Sequence, residues 1–164
     1  MDTIWNKYRR NSKGWQKDDI AKLHPRVILG PAFRLTPAFM QFYNITHVIN
    51  CAEDDVSPKW FKTKFPANYM CIGAIDATDQ NITEHYSTFR ETMDDFLGDS
   101  ECKTVYVHCE CGINRSAFLC FLYMCLKFKY PVETAMKAIL IQRPCAMTNP
   151  SFRKQSLDYI KKHE

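Results

Sequence analysis

No two of the eight cysteines in this 164-residue chain are spaced C-x-x-C, the half-site from which structural zinc centres are usually built. A metal-stapled fold is therefore not expected, and neither a metal nor a cofactor is required. Long apolar runs are missing too. The longest, Ala117–Leu126, is about half of what a bilayer needs. Residues 1–19 are polar and basic and contain no apolar core of a secretory signal. Together these absences lead to the expectation of an intracellular, cytoplasmic protein that has no membrane partner and keeps its thiols free. Charge of one sign is scarce: 22 Lys+Arg stand against 18 Asp+Glu, a formal net charge of +4. That is far from the charge density of a protein that coats nucleic acid. The chain shows no internal repeat and no low-complexity segment.

What is present describes one globular domain. Hydrophobic residues make up 46% and aromatics 13% of the chain, enough to build a core and too much for disorder. Residues 1–19 read as a helical appendage. Ile4, Trp5 and Tyr8 fall at helical spacing, and the breaker-rich Asn11–Gly14 follows. Such a helix either folds back on the domain or pairs two copies as a homodimer. The domain itself is expected over residues 20–164. Arg26–Gly30 and Tyr43–Asn50 read as strands, with Thr36 capping a helix that begins at Pro37. Residues 53–66 read as a polar loop with one helical turn at most. Tyr69–Ile72 is a further strand, and it leads into the acidic stretch Asp76–Gln80.

Ile82, Tyr86, Phe89, Met93, Phe96 and Leu97 mark an amphipathic helix over 82–98. Thr104–Val107 is a short strand, and residues 116–128 form a helix that is apolar nearly all round and so belongs inside the domain. Helices from Pro131 to about Gln142 and over Ser151–Lys162 close the chain. Strands alternating with helices predict an α/β fold: a central, mostly parallel mixed sheet of about five strands with helices on both faces. Ligands of such sheets sit beyond the C-terminal strand ends, often at a helix N-terminus.

That place is occupied by His108-Cys109-Glu110-Cys111-Gly112-Ile113-Asn114-Arg115-Ser116. A strand delivers Cys109 to a tight loop, and the loop runs into the buried helix. Successive amides of such a loop converge on one anion, with the helix dipole behind them. Gly112 permits a backbone turn that a Cβ would disfavour. The Arg115 fork suits bidentate capture of phosphate oxygens. The same electropositive cup is expected to favour a thiolate at Cys109 and so a nucleophile. Ser116 is placed to donate to that sulfur. Cys111, two residues away, is a candidate redox neighbour. His108 reads as structural support for the loop, and the other six cysteines read as packing. Lys59, Lys62 and Lys64 read as a solvated face, and Arg143 is a candidate for the pocket rim.

The pattern H-C-x-x-G-x-x-R-S resembles that of the cysteine-dependent phosphatases. Five fixed positions would match by chance in roughly one chain in ten thousand of this length, so the likeness carries weight. Within that superfamily the chain is most similar to the dual-specificity protein phosphatases. Arg26–Gly30 resembles their opening strand, Ile45–Asn50 their second signature and Asn149–Gln155 their last helix. The closing segment is especially similar to poxviral members, which implies a large-DNA-virus source and a place in the host cytoplasm or virion.

The resemblance implies hydrolysis of phosphotyrosine and phosphoserine/threonine monoesters in phosphoprotein substrates, through a cysteinyl-phosphate. It assigns Cys109, Arg115, Asp76 and Ser116 to catalysis, and Glu110, Cys111, Gly112, Ile113, Asn114 and Arg115 to phosphate binding. A general acid is needed from a separate loop. Asp76, in the frame Ile72-x-x-x-Asp76, is preferred, and Asp79 is the alternative. Competing readings are an RNA 5′-triphosphatase, whose relatives carry Thr in place of Ser116, another non-protein phosphatase, and a silent phospho-binding module. Glu110 disfavours a highly charged headgroup. A chain this short leaves little room for a loop that deepens the pocket, which favours dual specificity.

Overall fold

The computed structural model describes residues 1–9 and 19–164. Five strands form one sheet in the order β1-β2-β5-β3-β4: β1 Ala21–His24, β2 Val27–Pro31, β3 Ile45–Asn50, β4 Tyr69–Cys71 and β5 Thr104–Cys109. All neighbouring pairs are parallel except β1 with β2. The α/β class and the mostly parallel mixed sheet are as the sequence predicts. β1 is the strand it did not reveal. The stretch is only four residues long, and the hairpin that joins it to β2 contains Pro25. The strand expected over 43–50 starts at Ile45, because Asn44 turns into the left-handed region at φ 56. A short helix, α3 (Lys59–Lys64), occupies part of the expected loop.

The side chains of the central strands alternate between two cores, as the period of two requires. Val105, Val107, Leu29 and Ile49 face the larger core. Tyr106, Ile28 and Val48 face the smaller one, where α2 (Pro37–Phe42) contributes Phe39 and α3 contributes Phe61. Thr36 caps α2 by accepting from the Phe39 amide at 3.2 Å. The larger core is covered by α4 (Tyr86–Gly98), α5 (Arg115–Leu126), α6 (Val132–Gln142) and α7 (Pro150–His163). The amphipathic stretch 82–98 begins as a 3-10 turn over Ile82–His85 before α4 proper.

Every residue of α5 is buried. That explains why the segment shows no polar stripe and why its first turn can serve as a fixed floor. α1 (Asp2–Tyr8) lies against α6, with Ile4, Trp5 and Tyr8 packed on the larger core. The breaker run Asn11–Gly14 lies outside the described residues. No helix among the described residues is long and apolar enough to cross a membrane.

Phe118 of α5 is fully buried and meets Phe152 of α7 edge-on, with centroids 5.6 Å apart. Phe118→Ala should cost about 3–5 kcal/mol, read as a lower urea midpoint in equilibrium unfolding.

Candidate active site

β5 runs through the middle of the sheet and ends at Cys109, beside Pro31 of β2 and one residue beyond the pairing of His108 with Asn50 of β3. The chain then turns through residues 110–114 into α5. Four successive carbonyls of this turn are held from outside. The Ala32 amide donates to Glu110 O at 3.0 Å. Arg143 donates from Nη2 to Cys111 O at 2.8 Å and from Nε to Gly112 O at 3.1 Å. The Met147 amide donates to Ile113 O at 2.8 Å. A trans peptide points its N–H opposite to its C=O, so the amides of Cys111, Gly112, Ile113 and Asn114 are turned inward. They form a cup of about 240 Å³ lined by Cys109, Glu110, Cys111, Ile113, Asn114, Arg115, Asp76 and Thr148. Gly112 makes the turn at φ 67, and a Cβ there would lie 2.6 Å from the Gly30 carbonyl. Here both conformation and space demand glycine.

At the bottom of the cup the Cys109 sulfur is buried and accepts from Ser116 Oγ at 3.2 Å. His108 lies behind it, fully buried. Its Nδ1 donates to the Cys109 carbonyl at 2.8 Å, so its Nε2 accepts from Ser57 Oγ at 3.0 Å. This arrangement fixes a neutral tautomer. Burial pushes the His108 pKa down to about 4. The Cys111 thiol is raised by partial burial, then by Glu110 and Cys109, so proximity alone does not activate it.

Arg115 opens α5 with its side chain almost wholly buried. Nη1 donates to Glu53 Oε1 and to Ala74 O, both at 3.1 Å. Among the described residues Nε has no hydrogen-bond partner, and Glu110 Oε2 lies 4.0 Å from Nη2. A buried guanidinium edge without an acceptor is costly unless an anion completes it.

Asp76 arrives from the chain beyond β4, which stays in register with β3 through Ile72 N to Asn50 O at 2.8 Å and Ala74 N to Cys51 O at 2.9 Å. Its two oxygens accept from Asn114 Nδ2 at 3.0 Å and Asn149 Nδ2 at 3.1 Å. Asp79 is exposed and is not among the residues lining the cup. The sequence reading thus has its loop residues and Asp76 brought together, while Asp79 stands apart.

Two residues of the site were not legible in advance, and a third lies elsewhere than the sequence suggested. Arg143 is fully buried behind the loop, not at its rim, and a third bond ties it to the Asp19 carbonyl. Glu53 sat unremarked in a polar stretch. Asn149 figured only as the first residue of the stretch 149–155 that resembles the family's last helix. Its Oδ1 does cap α7, accepting from Phe152 N at 3.1 Å, while its Nδ2 holds Asp76.

Residues 27–162 match the family described as dual specificity phosphatase, catalytic domain. The chain belongs to that family. It is 30% identical over 122 residues to dual specificity protein phosphatase 22 of Homo sapiens, covering 73% of this chain and 61% of that protein. It is 28% identical over 147 residues to a probable dual specificity protein phosphatase of Dictyostelium discoideum, covering 90% of this chain and 34% of that protein. The chain thus spans from about a third to about three fifths of the length of these relatives. In fold it is similar to the crystal structure of human DUSP28 (TM-score 0.74, 19% identity, 88% of this chain and 95% of that one). It is also similar to a mouse putative dual specificity phosphatase complexed with zinc tungstate (TM-score 0.75, 20% identity, 88% of each chain).

The depressed His108 pKa makes a pH-dependent prediction. Unfolded, this histidine binds a proton near its ordinary 6.5; folded, only near 4. Between those values the unfolded state holds more protons. Stability should therefore fall as pH drops from about 6.5 towards 4, by of the order of 3 kcal/mol from this group. Urea unfolding across that range should show a shallower slope for His108→Asn than for the wild type.

Proposed function

We propose that the domain is a cysteine-dependent phosphatase that hydrolyses phosphotyrosine and phosphoserine/threonine monoesters in phosphoproteins. The observation that carries this reading is the open edge of Arg115 beside the inward amides, in the cup that Cys109 also lines. An oxyanion fits there, and its phosphorus then faces a nucleophile.

In the first step the Cys109 thiolate attacks phosphorus in line. The S–P bond forms as the P–O bond to the leaving group breaks, and protonated Asp76 gives its proton to that oxygen. The amides of residues 111–114 and the Arg115 edge stabilise the equatorial oxygens. In the second step water attacks phosphorus and gives a proton to the Asp76 carboxylate. Phosphate leaves and the Cys109 thiolate is restored. The Ser116 hydroxyl, already bonded to the sulfur, stabilises the departing thiolate. His108 supports the loop from behind and exchanges no proton.

Dual specificity is supported by the lining of the cup. Among the described residues no aromatic side chain walls it, so nothing deepens it to exclude the shorter phosphoserine and phosphothreonine. An RNA 5′-triphosphatase activity is disfavoured by Glu110, whose carboxylate at the mouth repels a polyanion. The family membership favours the protein substrates over it. Pairing of two copies through residues 1–19 competes with the packing of α1 on its own domain, which already uses Ile4, Trp5 and Tyr8. A large-DNA-virus source rests on Asn149–Gln155 alone, whereas the relatives named above come from Dictyostelium and man. A cytoplasmic setting rests on the need to keep Cys109 reduced.

Cys109→Ser is expected to abolish turnover of phosphotyrosine and phosphothreonine peptides while retaining their binding. Measurable turnover by this variant would remove Cys109 as nucleophile. Asp76→Ala is expected to lower kcat about 100-fold or more on both peptides and to flatten the pH limb on which a protonated acid is required. Asp79→Ala should leave kcat near wild type, and the reverse pattern would exchange the two assignments.

A further inference from the structure

The contacts behind the cup lead out to the N-terminal helix. Met147, whose amide holds Ile113 O, sits in the left-handed region at φ 64. A side-chain-bearing residue keeps that conformation only when its surroundings impose it. Its carbonyl accepts from Arg153 Nη1 at 2.7 Å. Arg153, on α7, is itself buried, and its remaining contacts go to α1. Nε donates to Asp2 Oδ1 at 2.8 Å, and the guanidinium lies 4.0 Å from the centroid of the Trp5 ring. Trp5 adds a second tie, donating from Nε1 to the Ala146 carbonyl at 3.1 Å. α1 therefore grips residues 146 and 147 from two directions. Two residues further on, the Asn149 side chain donates from Nδ2 to Asp76 Oδ1 at 3.1 Å, and its backbone amide donates to Asn114 Oδ1 at 3.0 Å.

We infer that α1 is a positioning clasp for the phosphate-binding loop, acting through Arg153 and Met147, with Trp5 and Asp2 as its working residues. The proposal rests on reading the cup as an oxyanion site. The planar Arg153 fork satisfies Asp2, the Trp5 face and the Met147 carbonyl at once. If α1 lets go, Arg153 loses both the carboxylate and the aromatic face that hold its fork in place. Met147 then loses the bond that holds its strained backbone, and Ile113 O loses its outside donor. The Ile113–Asn114 peptide becomes free to rotate, and one inward amide is lost from the cup. Any event that displaces α1, such as a modification on it or a partner that takes its apolar stripe, would lower oxyanion affinity without touching the loop.

The test uses full-length Trp5→Ala, Trp5→Phe and Asp2→Asn. Tungstate dissociation constants come from calorimetry, and KM and kcat come from hydrolysis of an aryl phosphate, all well below the melting temperature. Trp5→Ala and Asp2→Asn should weaken tungstate binding and raise KM in parallel by about tenfold. Trp5→Phe, which keeps an aromatic face but loses the indole N–H, should fall between Trp5→Ala and wild type. A lowered melting temperature with unchanged tungstate affinity and KM would make α1 merely structural and overturn the clasp. A wild type that binds no tungstate would overturn the reading of the cup itself, and the clasp with it.

Discussion

Four carbonyls turned away from the cup are the constraint on which the rest of the structure depends. A loop that must offer several amides to one anion has to place the matching carbonyls somewhere, and buried carbonyls without donors are costly. Here Ala32, the residue just past β2, supplies one donor, Arg143 supplies two, and Met147 supplies the fourth. This need explains several features that look unrelated. It accounts for an arginine buried to zero exposure behind a loop and for a methionine at positive φ. It also accounts for the close approach of Gly112 to Gly30, which brings the loop within reach of β2.

The sheet order serves the same end. Placing β5 between β2 and β3 pairs it on both sides up to His108, so the nucleophile leaves from the most constrained strand of the sheet. His108 can then lock the Cys109 carbonyl from within the smaller core, and α5 can start without a solvent-facing side. Burial on every side makes the floor of the cup stiff. The acid side is built differently. Asp76 lies on an exposed connection, and among the described residues its carboxylate is held through the side-chain amides of Asn114 and Asn149.

Much of this was legible in residues 108–116, because the chemistry of the loop is compressed into one local pattern. The parallel strands and the all-apolar helix were legible because burial on two faces leaves a compositional mark. What was not legible depends on contacts made at long range. Arg143 looks like any arginine near a helix end until the fold carries Cys111 and Gly112 to it. Glu53 is one of several acids in a polar stretch, and only the path of the chain after β3 sets it against Arg115. β1 was hidden because a four-residue edge strand is too short to show a period. The one local hint that went unread was Asn149-Pro150: a cap signal whose second nitrogen was free for other use.

The guanidinium of Arg115 shows how little must move for an anion to bind. Its Nη1 is already engaged by Glu53 and Ala74, which sets the plane of the fork, while among the described residues Nε has no partner and Nη2 lies 4.0 Å from Glu110 Oε2. Binding therefore adds partners to a charge that is already oriented, and the cost of reorganisation at the moment of reaction is small. Glu53 achieves this as a half-exposed carboxylate, which leaves part of the positive charge uncompensated. A fully buried carboxylate in its place would neutralise the edge and weaken the cup. The strength of the site thus comes from an ion pair that is left incomplete, set beside amides turned into the same cup.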